Sequence, residues 1–314
     1  MTKKKLKIFV AGHNGLVGSA IVKYLKSNNY ENIIVADKKK LDLINQKQVN
    51  IFLKNKKPDA VIIAAAKVGG IKTNNNKTAE FIYENLMIQS NLIHGAYKMK
   101  VKSLIFLGSS CIYPKFCKQP IKEKYLLSGN LEKTNEAYAV AKISGVKMCE
   151  YYNQQYGTNF KSLMPTNTFG PNDNYNLDTS HFLPALIRKI YEAKVNKKTF
   201  IELWGNGKSK RELVDVNDLA SASIYFLFKD TKNFLINVGS GKDYSITYYA
   251  KKIMKILNVD LKIKYINKHL IGTPRKILDT TLAKNLGWKA KISLDTGLKI
   301  TIKDFVKNYK KYIL

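Results

Sequence analysis

The sequence predicts an α/β fold, a doubly wound parallel sheet followed by a smaller C-terminal lobe. Two observations carry that expectation. Short apolar runs alternate with amphipathic stretches through the first half, the pattern of strand–helix units. From about Pro165 onward the alternation weakens into shorter segments punctuated by Gly, Asn and Pro, as in 169–176 and 204–208. A chain of 314 residues, 45% of them hydrophobic, can bury one large core and a lesser one.

Taken in order, 7–11, 33–36, 60–65 and 103–107 read as buried strands, and 18–26, 46–54 and 80–97 carry apolar residues at helical spacing. Residues 1–164 then form a nucleotide-binding sheet domain of Rossmann type. Residues 165–314 form mainly the second, substrate-binding lobe, with a segment near 212–240 returning to the first. Ligands are expected beyond the carboxyl ends of the strands.

The formal net charge of +31 invites a nucleic-acid reading. The basic residues speak against it: they are spread along the chain, and arginine occurs only as Arg188, Arg211 and Arg275. Lysines so distributed make a solvated surface that would still attract an anionic small molecule. No apolar run approaches the roughly 20 residues of a membrane span, and the basic start leads into a short strand-like segment, unlike a secretory signal. A cytoplasmic protein is expected, with neither nucleic acid nor membrane as partner. Cys111, Cys117 and Cys149 are odd in number and lack zinc-type spacing, so no disulfide framework and no metal site is expected.

The 7–11 strand runs directly into Gly12-His13-Asn14-Gly15-Leu16-Val17-Gly18 and then a helix. In such a loop one glycine permits the tight turn, one lets the backbone approach a pyrophosphate and one lets the helix pack closely, while free helix amides face the phosphates. With the strand before and the helix after, the loop predicts a dinucleotide site; His13 reads as a loop residue. Which dinucleotide is less plain, because Asp37 favours the ribose hydroxyls of NAD whereas Lys38, Lys39 and Lys40 favour the 2′-phosphate of NADP. Asp42, followed by Leu43, reads either as a partner for the adenine amino group or as a helix N-cap.

Tyr138 and Lys142 stand one helical turn apart on one face. A fixed cation near a phenol that ordinarily titrates near about 10 would stabilise phenolate and make the hydroxyl a useful proton donor. Tyr-x-x-x-Lys also occurs on ordinary surface helices. Ser109 and Ser110, just beyond the strand that ends at Leu107, complete a Ser-Tyr-Lys constellation within a dinucleotide fold.

These residues resemble the extended short-chain dehydrogenase/reductases over essentially the whole chain. The segments 12–20, 64–71 and 107–114, Pro165-Thr166-Asn167 and the pair Ser180-His181 narrow the likeness to members that epimerise GDP-4-keto-6-deoxy-D-mannose at C3 and C5 and then reduce C4. The resemblance implies NADPH as hydride source and a homodimer built through two helices per subunit. It assigns Cys111 as base and His181 as acid of the epimerisation, and Ser109 with Tyr138 as holders of the enolate oxygen. Tyr138 would later protonate O4, beside Lys142. The cofactor would meet the 12–18 loop, Asp37, Lys38, Asp42, Leu43, Ala65, Leu107, Gly108, Ser110, Lys142, Pro165, Thr166, Asn167, Thr168 and His181. The GDP-sugar would meet Ser109, Asn167, Lys189, Trp204 and Arg211.

Two departures accompany the likeness. The family often has arginines where this chain has Asn14 and Lys38, and Ile271 replaces the acid that usually precedes Gly272 in the stretch ending Thr273-Pro274-Arg275-Lys276. From the residues alone Cys111 also reads as a small core residue and His181 as a neighbour of a helix cap. Cys117 and Cys149 read as structural, and His94 and His269 carry no role. Competing functions are a 4-epimerase that keeps NAD bound, a simple 4-reductase, a noncatalytic dinucleotide-binding regulator and a nucleic-acid binder. Cys111 with His181 argues against the first two, and Ser109, Tyr138 and Lys142 against the regulator.

Overall fold

The computed structural model describes residues 3–70, 76–267 and 273–313, so Ile71, His269, Ile271 and Gly272 lie outside the described residues. Strands β1 (Lys7–Ala11), β2 (Asn32–Ile34), β3 (Ala60–Ile63), β4 (Ser103–Leu107) and β5 (Phe160–Pro165) join a late strand, β9 (Leu235–Val238), in one sheet. Its order is β2-β1-β3-β4-β5-β9, and every neighbouring pair is parallel. The chain leaves β1 in one direction and later returns on its other side as β3. The gap between their carboxyl ends is therefore a topological switch point, where open α/β sheets bind ligands.

Side chains alternate between the faces of a strand. Phe9, Ala11, Val61, Ile63, Leu104 and Phe106 belong to the core on one face, under the helices Gln46–Lys56, Thr78–Lys98 and Glu136–Tyr156. Ile8, Val10, Ala60, Ile62, Ile105 and Leu107 belong to the other, under Leu16–Ser27 and Val216–Phe228. Both faces are covered, which is why these strands read as continuous apolar runs. Helix ends are set locally: the Asn45 side chain accepts from Gln48 N at 3.0 Å, and Glu136–Tyr156 stops at Gly157, whose φ of 64° is the left-handed turn glycine permits.

Several boundaries differ from the sequence expectation, and three of them shape the cofactor loop. The second strand stops at Ile34, its last partner on β1, and Val35 emerges into solvent. Asp37 then opens a turn in which its carbonyl accepts from Lys40 N and Leu41 N, both at 2.9 Å. The third strand stops at Ile63 because Ala65 is pressed against Gly12. The first helix begins at Leu16, since Gly15 takes the cap position.

After β5, strands β6 (Asn167–Phe169), β8 (Lys210–Asp215), β10 (Asp243–Ser245) and β12 (Arg275–Lys276) form a small sheet centred on β8, while β7 (Phe200–Trp204) pairs with β11 (Lys262–Ile266). A third core, including Phe169, Tyr175, Ile187, Leu203, Tyr249 and Phe305, fills this lobe. Among the described residues no helix is long and apolar enough to cross a membrane.

Ile62 lies on central strand β3 and is fully buried. Ile62→Ala should cost about 2–5 kcal/mol, read from urea unfolding midpoints. A cost under about 1 kcal/mol would contradict tight packing on this face of the sheet.

Candidate active site

The glycine loop is shaped by space. Gly12 has φ 85°, and a Cβ there would stand 2.7 Å from Ala65 Cα. At Gly18 a Cβ would stand 2.0 Å from the Gly12 carbonyl oxygen, so the helix packs on the loop only with glycine at this position. Gly15 is less constrained, with Gly12 O at 3.6 Å from its hypothetical Cβ, and its N–H donates to that oxygen at 3.1 Å. Leu16 and Val17 pack on the sheet core while the amides of this first helical turn stay open, a ready anion site.

Past β2, Asn14 Nδ2 donates to Asp37 Oδ1 at 2.9 Å and His13 Nε2 lies 3.2 Å from the same oxygen, with Lys38 exposed beside them. Asp42 is not a helix cap: its carboxylate accepts from Ile44 N at 3.1 Å, and Asn45 caps the helix instead. The Leu43 carbonyl is taken by Asn91 Nδ2 at 2.9 Å.

At the carboxyl end of β4, Gly108 N donates to Leu163 O at 2.9 Å, and a Cβ on Gly108 would stand 2.2 Å from Met164 Cε. The Ser109 hydroxyl oxygen accepts from Cys111 N at 3.3 Å and caps the short helical turn Ser110–Ile112. From the Glu136–Tyr156 helix, Lys142 reaches into the protein and donates from Nζ to the Leu107 carbonyl at 2.8 Å. The ammonium stands 4.6 Å from the centre of the Phe106 ring and 5.8 Å from that of Tyr138.

Burial governs the acidities here. It brings Lys142 down to about 8, with Cys111 pulling the other way. Burial likewise raises the Tyr138 phenol, and Cys111 adds to the rise. The expected depression of the phenol by Lys142 is therefore not found, because desolvation dominates while the ammonium is bonded to a carbonyl. Cys111 is also raised by burial, opposed first by Lys276, then by Ser109 and Lys142. The sequence reading missed the weight of Lys276: it sits on β12 in register with Arg211, a strand too short to show as a pattern.

His181 is carried on a separate wall. Gly70 N donates to Thr179 O at 2.8 Å, and a Cβ on Gly70 would stand 2.5 Å from Ser180 O, so the Ala64–Gly70 stretch abuts the residues leading to His181. His181 occupies the cap position of the helix Phe182–Val195, but its side chain makes no cap bond. Its pKa is lowered by the desolvation of the ring, although the residue as a whole is exposed.

Pro165 continues β5 beside Val238, and Thr166 N donates to Val238 O at 3.0 Å. Thr166 Oγ1 and Asn167 Nδ2 both donate to Glu212 O at 3.1 Å, and Thr168 Oγ1 to Thr166 O at 3.2 Å. Glu212, also missed in the sequence, fastens this floor: its fully buried carboxylate accepts from Gly241 N at 2.6 Å and Leu278 N at 2.8 Å. In the second lobe Lys189 Nζ lies 5.9 Å from the centre of the Trp204 ring, which is 54% exposed and offers a stacking face. Arg211, whose pKa burial lowers, follows on β8. Among the described residues no group of three or more His, Cys, Asp or Glu is arranged to hold a metal ion.

Residues 8–239 match the NAD dependent epimerase/dehydratase family, and the chain belongs to it. It is 47% identical over 308 residues to GDP-L-fucose synthase 1 of Arabidopsis thaliana, covering 98% of this chain and 95% of that one. Among solved structures it is similar to a GDP-L-fucose synthetase from Naegleria fowleri bound to NADP, at 26% identity and TM-score 0.89 over 99% of this chain and 96% of that one. It is also similar to a GDP-mannoheptose C4 reductase from Campylobacter jejuni with NADP bound, at 36% identity and TM-score 0.87 over 98% of this chain and all of that one.

Burial raises the Glu212 carboxyl to about 7, against an ordinary glutamate value near about 4.3. A raised acid favours the folded state most below its unfolded pKa, and that contribution is lost as pH rises from about 4 through about 7. Stability measured by urea unfolding should fall across this window and level off above it, and Glu212→Gln should flatten the slope. An unchanged slope in the variant would contradict the assignment.

Proposed function

We propose that this chain converts GDP-4-keto-6-deoxy-D-mannose to GDP-L-fucose, inverting C3 and C5 and then reducing C4 with NADPH. The observation that carries the reading is the gathering of Ser109, Cys111, Tyr138 and Lys142 at the carboxyl end of β4, beside a glycine loop built for a dinucleotide. The names of the relatives support the same reaction.

The residues fit the cofactor. Gly12 and Gly18 have no room for a side chain, which holds the loop tight and the helix close upon it, and Gly15 adds no side chain where the loop can approach a pyrophosphate. Bound there, NADPH supplies the hydride. The chain supplies the proton chemistry. The C4 ketone acidifies the hydrogens on C3 and C5, Cys111 removes them as its thiolate and becomes the thiol, and Ser109 with Tyr138 holds the enolate oxygen. His181, once protonated, returns a proton on the other face and is left as the neutral ring. Tyr138, kept protonated by burial, then gives its proton to O4, and Lys142 steadies the charge left on the phenol. Lys189 and Arg211 meet the diphosphate, and Trp204 offers its face to the base or sugar.

In this reading the enzyme is cytoplasmic and works as a homodimer through the helices Thr78–Lys98 and Glu136–Tyr156. Exposed Tyr83, Tyr151 and Tyr156 on these two helices support that face. The likeness to a C4 reductase offers a second reading, reduction without epimerisation, which would leave Cys111 and His181 without work.

In heavy water without reduced cofactor the enzyme should exchange deuterium into C3 and C5 of the keto-sugar, and Cys111→Ser should nearly abolish the exchange. Wild-type exchange in the variant would reduce the function to a reductase. Tyr138→Phe should lower ketone reduction about 10²- to 10⁴-fold with GDP-sugar affinity nearly intact, measured as single-turnover NADPH oxidation and by calorimetry. Unchanged turnover would exclude the phenol as proton donor.

A further inference from the structure

We infer that His13 and Asn14 let this chain accept NADPH in spite of Asp37, by tying the acid's carboxylate to the glycine loop. The inference rests on the NADPH reading above and concerns how this chain achieves it. An acid at the end of the second strand usually accepts the adenosine ribose hydroxyls, an arrangement that suits NAD and repels the 2′-phosphate of NADP. Here one oxygen of that acid already accepts a hydrogen bond and has a ring nitrogen beside it. Asn14 Nδ2 donates to Asp37 Oδ1 at 2.9 Å, and His13 Nε2 lies 3.2 Å from the same atom.

The Asn14 bond and the His13 ring beside it crowd Oδ1, which leaves Oδ2 as the open oxygen for a ribose hydroxyl. The tie is anchored from behind: Asn172 Nδ2 donates to the Asn14 carbonyl at 3.2 Å and to Ser19 Oγ at 3.3 Å. On the other side the Asp37 carbonyl, accepting from Lys40 N and Leu41 N, fixes the turn that presents exposed Lys38 and Lys39. A held acid beside exposed ammonium groups is a site that tolerates a phosphate. Asp37 thus serves as a strut of the loop, and His13 and Asn14 are specificity-determining residues.

The test is direct binding of NADPH and NADH, followed by the fluorescence of the reduced nicotinamide without any sugar present. Asn14→Ala, and separately His13→Phe, should each move the ratio of dissociation constants toward NADH by about threefold to fivefold, the scale of one exposed charge contact. Asp37→Asn should move it the other way. In the Asp37→Asn background neither loop substitution should change the ratio, because no charge remains to be held. If both loop variants weaken the two nucleotides equally, or if their shift persists with Asp37→Asn, the tie does not set the preference. A wild type that binds neither nucleotide overturns the dinucleotide reading, and this inference with it.

Discussion

A lysine ammonium buried against the Phe106 ring and bonded to the Leu107 carbonyl joins the two elements on which the site depends. One is the strand that delivers Ser109 and Cys111; the other is the helix that carries Tyr138. Leaving a cation unpaired inside a protein costs several kcal/mol, so the position holds only while carbonyl and ring face it. The helix must then lie at one rotation over β4. Tyr138, one turn before Lys142, then packs T-shaped with Phe81, 6.4 Å between centroids.

The same burial sets the resting protonation of the site. Desolvation brings the Lys142 ammonium down to about 8, raises the Tyr138 phenol and the Cys111 thiol, and lowers His181. Lys276 first, then Ser109 and Lys142, oppose the rise at Cys111. Glu212 keeps the floor beneath in place by linking Gly241 and Leu278 and by offering its carbonyl to Thr166 and Asn167.

Much of this was legible in the sequence because it rests on local patterns. Strands β1 and β4 appear at the expected residues, since apolar runs buried on two faces leave a plain mark. Gly12 and Gly18 are dictated by their neighbours, and Tyr138 with Lys142 by helical spacing. What stayed hidden depends on contacts distant in sequence. Lys276 acts from a two-residue strand whose place is fixed by β8, and Ile121 N and O bond Ile277 O and Asp279 N at 2.8 Å across a long loop. Glu212 reads as one more charge in an alternating strand until three segments close over it. The Lys142 partner is a backbone carbonyl, so no residue type announces it, and the phenol acidity expected from Lys142 gave way to desolvation for that reason.

The central claim is that one ketone site serves both inversion and reduction, and the configuration of the product tests it most directly. Purified protein incubated with GDP-4-keto-6-deoxy-D-mannose and NADPH should yield a single sugar nucleotide whose proton couplings are those of GDP-L-fucose, inverted at C3 and C5. A product reduced at C4 with the original configuration at C3 and C5 would contradict the account.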